Sequence, residues 1–204
     1  LVHDELDTGD DATGLKLPGA NFDIPLVIQD RRFNADGSLF FDQFNTDGFL
    51  GDKFVVNGAI QPCFHVKRRK YRLRFLNGSN ARFYQVYLNK ASGQTFPFTQ
   101  IGSAGGLFAH PIRDIRTFQF GPAERVDVVI DFRQFQTGDE VFVENRLEQR
   151  DGRKPNDLLT RGPGLLKFII QEEVPDPSQV PDNLRPLTPI SQAEINAATR
   201  KTFE

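Results

Sequence analysis

The sequence has neither methionine nor tryptophan, one cysteine and three histidines among its 204 residues. A single cysteine cannot close an internal disulfide, so cysteine usage fixes no redox compartment. No uninterrupted apolar stretch approaches the ~20 residues of a membrane-spanning helix. There is also no excess of one charge: 25 Lys and Arg stand against 27 Asp and Glu, a net of −2. That balance supplies no global attraction to nucleic acid or to an anionic membrane surface. With histidine so scarce, no Ser-His-Asp arrangement or nucleophile–base pair can be assembled on paper.

Phenylalanine is what the chain has in quantity, 20 residues of it, and it must supply much of the core. Period-two alternation runs from about residue 24 to 171. In YRLRF, Tyr71, Leu73 and Phe75 face one way while Arg72 and Arg74 face the other. In RVDVVIDF, Val126, Val128, Ile130 and Phe132 form the inner row, with Asp127 and Asp131 outward. YQVYL, TFQF, EVFVEN and LLKFII repeat the pattern, separated by Asn-Gly, Asp-Gly and Gly-Pro turns. Many short strands with such punctuation predict an all-β chain, an antiparallel sandwich or Greek-key barrel.

The tails differ from this middle. The acidic, Gly-rich N-terminal stretch reads as an extended linker, and residues 172–190 carry prolines 175, 177, 181, 186 and 189, the composition of a semi-rigid connector. Ser191 followed by Glu194 predicts a capping box opening a short helix. The chain opens on LVHDEL and closes on ATRKTFE, and both ends read as cuts through a longer polypeptide.

QPCFHVKRRKYRLRF concentrates the candidate chemistry. Cys63 and His65 share one face of a strand, but a mononuclear copper site of the blue type needs two histidines with the thiolate, often with an axial methionine. His3 and His110 are remote in sequence, and a four-ligand zinc site would require all three histidines to meet the cysteine. A surface imidazole beside a strand cysteine is the simpler reading. The run Lys67 to Lys70 is placed in the turn before YRLRF, and Arg72 and Arg74 on a solvated or interdomain face rather than on a nucleic-acid patch. Asp7-Thr8-Gly9 matches an aspartic-protease loop only superficially, because that chemistry needs a second aspartate and the tail reads as unstructured. IGSAGGLF lacks the Lys-Ser/Thr of a phosphate loop and reads as a close backbone turn through Gly102, Gly105 and Gly106. Asn77-Gly78-Ser79 is a glycosylation acceptor triplet whose simpler reading is a turn.

Four strings carry a resemblance: DIPLVIQDRRFNADGSLFFD, GDKFVVNGAIQPCFHVKRRKYRLRFLNGSNARFYQVYL, FTQIGSAGGLF and GPAERVDVVIDF. In this order they resemble the middle (second) cupredoxin domain of multicopper oxidases, closest to bacterial spore-coat-type laccases and bilirubin oxidases. The most diagnostic residues are Asp30-Arg31, Val56-Asn57-Gly58, Arg72 to Asn77 with Asn80 and Arg82, and Pro122-Ala123-Glu124-Arg125 with Asp127. The resemblance implies a cupredoxin-like Greek-key β-sandwich or barrel over 22–171. Residues 1–21 would be a linker from a preceding domain, and 172–204 a Pro-rich linker and short helix toward a following one.

It further implies a parent oxidoreductase that takes electrons singly from a donor and reduces dioxygen to water. The copper would be held by His-x-His and His-Cys-His motifs of the first and third domains. Neither motif occurs here. The expectation is therefore no catalytic, cofactor-binding or metal-ligating residue in this chain, no copper in it, and flanking cupredoxin domains as its partners, with neither nucleic acid nor membrane among them. LVHDEL would be the last strand of the first domain and TRKTFE the approach to the third. A Glu124–Arg125 pair is expected to pin the turn before its strand. The family includes secreted, periplasmic and spore-coat members. Two other readings stay open: a stand-alone cupredoxin-like binding module without catalysis, and metal capture by Cys63 and His65 across a dimer interface.

Overall fold

A computed structural model describes residues 3–202. Fourteen strands form two facing sheets. The first sheet contains β1 (Asp23–Phe33), β2 (Leu39–Phe40), β3 (Lys53–Val56), β4 (Ala59–Ile60), β6 (Lys70–Asn77), β9 (Phe98–Ser103), β10 (Gly106–Ile115) and β12 (Arg125–Asp131). The second contains β5 (Cys63–Arg68), β7 (Tyr84–Lys90), β8 (Thr95–Phe96), β11 (Thr117–Phe120), β13 (Glu140–Asn145) and β14 (Gly164–Glu173). Their orders are β10-β9-β12-β6-β1-β3-β4, with β2 on β1, and β11-β7-β13-β14-β5, with β8 on β7.

The sheets are mixed rather than purely antiparallel. β1 runs parallel to β6, pairing Asp23 with Arg72 through Ile28 with Asn77, and β5 runs parallel to β14. After β1 the chain stays in the first sheet as β2, β3 and β4, crosses to the second as β5 and returns beside β1 as β6. Alternation reports which face is buried and carries no record of strand direction.

The core lies between the sheets and follows the expected rows. Tyr71, Leu73 and Phe75 of β6 and Val126, Val128 and Ile130 of β12 face Tyr84, Val86 and Leu88 of β7, Val141 and Val143 of β13, and Phe168 of β14. Edge-on ring pairs fill the volume: Phe75 meets Phe118 at 5.1 Å, and Phe132 meets Phe168 at 5.0 Å and Tyr71 at 5.4 Å. Each such pair adds roughly 0.5–1.5 kcal/mol beyond area burial.

A second, smaller cluster sits on the outer face of the first sheet. Ile101, Leu107 and Val129 are covered there by Leu17 from the N-terminal stretch and Leu184 from the Pro-rich one. The N-terminal stretch forms no strand among the described residues and the C-terminal one only continues β14 to Glu173, yet Leu17 and Leu184 are buried, while residues 186–202 are exposed. The predicted helix is present as α1 (Gln192–Ala197), with the Ser191–Glu194 capping box formed in both directions. Of the strands expected at the two ends, residues 3–6 bend and 200–202 are irregular, while Leu1, Val2, Phe203 and Glu204 lie outside the described residues.

Candidate functional site

β5 forms one edge of the second sheet. Phe64 packs against the core and Val66 belongs to it, so Cys63 and His65 point outward and are exposed, as the alternation requires. The imidazole Nδ1 of His65 lies 3.3 Å from the Gln171 amide nitrogen. His3 contacts the Asp7 carbonyl at 3.2 Å, and His110 on β10 contacts the Asp182 carbonyl at 2.8 Å. The three imidazoles thus belong to three different elements with different neighbours. Among the described residues no group of three or more His, Cys, Asp or Glu side chains is arranged to hold a metal ion. One thiol with one imidazole beside it does not fit the donor set of a type 1 copper.

The charged residues of β6 do more than the alternation suggests. Arg72 and Arg74 sit on the outward row, but Arg72 is only 1% exposed. Its Nη1 and Nη2 donate to the two oxygens of Asp7 at 2.7 and 2.9 Å, a two-point fork. Its Nε and Nη2 donate to Asp127 on β12 at 3.0 and 2.6 Å. Arg74 makes a second fork to Asp23, at 2.8 and 2.7 Å. The expected solvated or interdomain face is therefore covered by the chain's own N-terminal stretch. Of Asp7-Thr8-Gly9, it is the Asp7 carboxylate that makes this contact.

The expected turn over Lys67 to Lys70 is much tighter, since only Arg69 separates β5 from β6. Arg69 is buried, its guanidinium 3.4 Å from the centroid of the Phe22 ring. Its Nη2 donates to Asp11 at 2.6 Å and to Asp176 at 3.2 Å. Lys70 Nζ adds donations of 2.7 Å to Asp176 and 2.7 Å to the Ser178 carbonyl. Sequence reading missed Asp11 and Asp176. A signal for them existed in the acidic composition of the two tails opposite the cationic run of 67–74.

Protonation follows from these contacts. Burial pushes Asp7 up, but hydrogen bonds and charge from Arg72, with Arg74 and His3 beyond, prevail and hold it below the ordinary range. Burial also opposes ionisation of Asp176, yet Lys70 and Ser178 bring it down from 3.8 to about 2. Burial raises Asp127 against the pull of Arg72 and Arg74. A carboxyl depressed on folding contributes stability that is present above its unfolded pKa and lost as pH falls through the folded one. Urea unfolding is therefore expected to show stability falling from about pH 4 toward about pH 2, the interval of Asp176. Asp127, raised on folding, acts in the opposite sense and at higher pH, above its unfolded 3.8. Asp176→Asn should remove part of the fall toward about pH 2, and an unchanged profile in that variant would contradict the pairing.

The remaining candidates are structural. Asn77 of the acceptor triplet is 1% exposed, and its amide donates to the Arg82 carbonyl at 2.7 Å, so the folded chain withholds it from modification. IGSAGGLF is the β9–β10 hairpin: Gly106 has φ +106°, and a Cβ at Gly102 would lie 2.6 Å from the Gly106 carbonyl. Glu124 and Arg125 do not pair as expected. Glu124 accepts from the Gly121 amide at 2.5 Å, while Arg125 donates to the Ala123 and Ala104 carbonyls at 2.9 and 3.0 Å. The backbone oxygens of the neighbouring turns lie within reach of the Arg125 guanidinium and take its protons.

Comparison with known proteins places this geometry among relatives. No family model matches the chain. It is 37% identical over 143 residues to a laccase of Bacillus subtilis, covering 64% of this chain and 27% of that protein. It is 31% identical over 183 residues to a bilirubin oxidase of Albifimbria verrucaria, covering 88% of this chain and 32% of that protein. Among solved structures, the multicopper oxidase McoA of the hyperthermophile Aquifex aeolicus superposes with a TM-score of 0.73 at 32% identity, over 83% of this chain and 36% of that one. The chain thus spans about a third or less of the curated relatives it matches.

Proposed function

Given that this chain is a homologue of one segment of the multicopper oxidases and has the β-sandwich of their cupredoxin domains, we propose that it is the copper-free middle domain of such an oxidase. In this reading it spaces two copper-bearing cupredoxin domains of the same polypeptide. The parent activity is one-electron oxidation of a donor coupled to reduction of dioxygen to water, with the copper chemistry supplied by those neighbours. The domain's own residues bind and orient: they hold a rigid two-sheet block, and they fix the chain that enters it and the chain that leaves it.

The observation that carries the reading is the donor geometry around Cys63. The thiol and His65 are exposed on an edge strand, and His3 and His110 are engaged on other elements. The reading is supported by the described residues, among which no two-imidazole, one-thiolate arrangement of the type 1 kind is brought together.

The test is copper loading of the purified chain under anaerobic Cu(I) and aerobic Cu(II) conditions, followed by dialysis, metal analysis and visible absorption. The expected result is substoichiometric copper and no intense blue charge-transfer band. Stoichiometric retained copper with that band would overturn the proposal. If the copper were instead lost in Cys63→Ala and its binding came with dimerisation, the interface-metal reading would replace it.

A further inference from the structure

Two segments without strands pack on the first sheet, residues 3–22 and 174–185. Each is tied to the sheet. The first is held by Asp7 on Arg72 and by Leu17 in the outer apolar cluster. The second lies along the edge of β10, where the Leu184 and Arg185 amides donate to the Ala109 and Phe108 carbonyls at 2.8 and 3.0 Å. Arg113 fastens it again, on the Asp182 carboxylate and the Val180 carbonyl.

The segments are also tied to each other. The Gln179 amide donates to the Lys16 carbonyl at 2.8 Å, and Arg185 pairs with Asp4. Leu15 and Leu17 share one apolar cluster with Val180 and Leu184. Beneath them, Arg69 is the one side chain among the described residues bonded to both, through Asp11 and Asp176. Its Nε has no hydrogen-bond partner among the described residues, so the guanidinium has little to replace a lost carboxylate.

From this we infer that the two segments form a single cooperative clasp, latched by Arg69, that opens and closes as one unit. The physical reason is shared cost. If the C-terminal segment lifts, Leu17 loses the cover of Val180 and Leu184, and Arg69 keeps Asp11 and the Phe22 ring but loses Asp176. If the N-terminal segment lifts, Val180 and Leu184 are bared, and Arg69 keeps only Asp176. Release of either therefore lowers the cost of releasing the other, which is positive coupling between two strands of chain that never pair as a sheet. The coupling belongs to this chain alone. Its consequence, that the orientations of the preceding and following domains are locked together, rests on the reading above. Copper loading tests that reading separately, so either can fail without the other.

Native-state amide hydrogen exchange by NMR decides the matter, comparing the wild type with Asp176→Asn and Asp11→Asn. Reporter amides are Leu15, bonded to the Leu6 carbonyl, on one segment and Leu184 and Arg185, bonded to the Ala109 and Phe108 carbonyls, on the other. Each substitution removes a charge-assisted bond, so protection should fall about ten- to a hundredfold. The expected result is an equal fall on both segments whichever aspartate is changed, at opening free energies below that of Val128 in β12, which reports global unfolding and has the steeper urea dependence. A fall confined to the substituted segment would overturn the clasp. So would exchange of the segment amides at the same opening free energy and urea dependence as Val128, because the segments would then have no opening separate from global unfolding.

Discussion

Replacing Arg72 by alanine is expected to cost about 3–5 kcal/mol of folding stability, measured by urea unfolding at neutral pH. The side chain is almost fully enclosed and satisfies two carboxylates, Asp7 and Asp127, whose own exposures are 10% and 13%. Removing it leaves both, in a space that water barely reaches, with only Arg74 at 3.7 Å from each. The loss measures that stranding more than any intrinsic worth of the pairs. Two controls follow. Arg72→Met combined with Asp7→Asn and Asp127→Asn should recover much of the loss, since no charge is then left unpaired. Arg133→Ala, which breaks an ion pair with Asp131 at 41% and 39% exposure, should cost less than about 1 kcal/mol. A cost below about 1 kcal/mol for Arg72→Ala itself would mean that residues 3–22 do not dock on the sheet.

That buried arginine marks the boundary of what the sequence makes legible. The inner rows of β6 and β12 could be read directly, because a strand with one buried face must alternate. The same rule assigned Arg72 to the polar row correctly but could not say what covers that row. The covering residue, Asp7, lies 65 positions away in a tail with no periodicity. Near-cancellation of charge over the whole chain also hid a local match, since acids of both tails converge on cations of 67–74. Strand direction was illegible for a simpler reason: parallel and antiparallel neighbours bury the same side chains. The donor geometry around Cys63 was within reach, because two residues apart on a strand fixes a shared face.

Arg82→Ala is expected to be as damaging, about 3–5 kcal/mol, and for a reason that also explains the diagnostic strings. Asp30 has a side-chain exposure of 0%. One of its oxygens accepts from Arg82 Nε at 2.7 Å and from the Gly51 amide at 2.7 Å, while the other has no partner among the described residues. Arg82 returns to the Gly51 carbonyl at 2.8 Å, and its own carbonyl takes the Asn77 amide. Asn80 accepts from the Phe49 amide at 3.0 Å, and Asn57 bridges the Val27 amide and the Pro25 carbonyl at 2.8 and 2.9 Å. Scattered polar residues that carried the resemblance therefore tie β1, the β2–β3 loop and the β6–β7 loop together. Without Arg82 the Asp30 carboxylate keeps one backbone donor for a full buried charge, which the interior does not tolerate. A double-mutant cycle of Asp30→Asn and Arg82→Met should show a coupling of about 1–3 kcal/mol. A coupling near zero would mean that the resemblance marks ancestry at these positions without marking what holds the fold together.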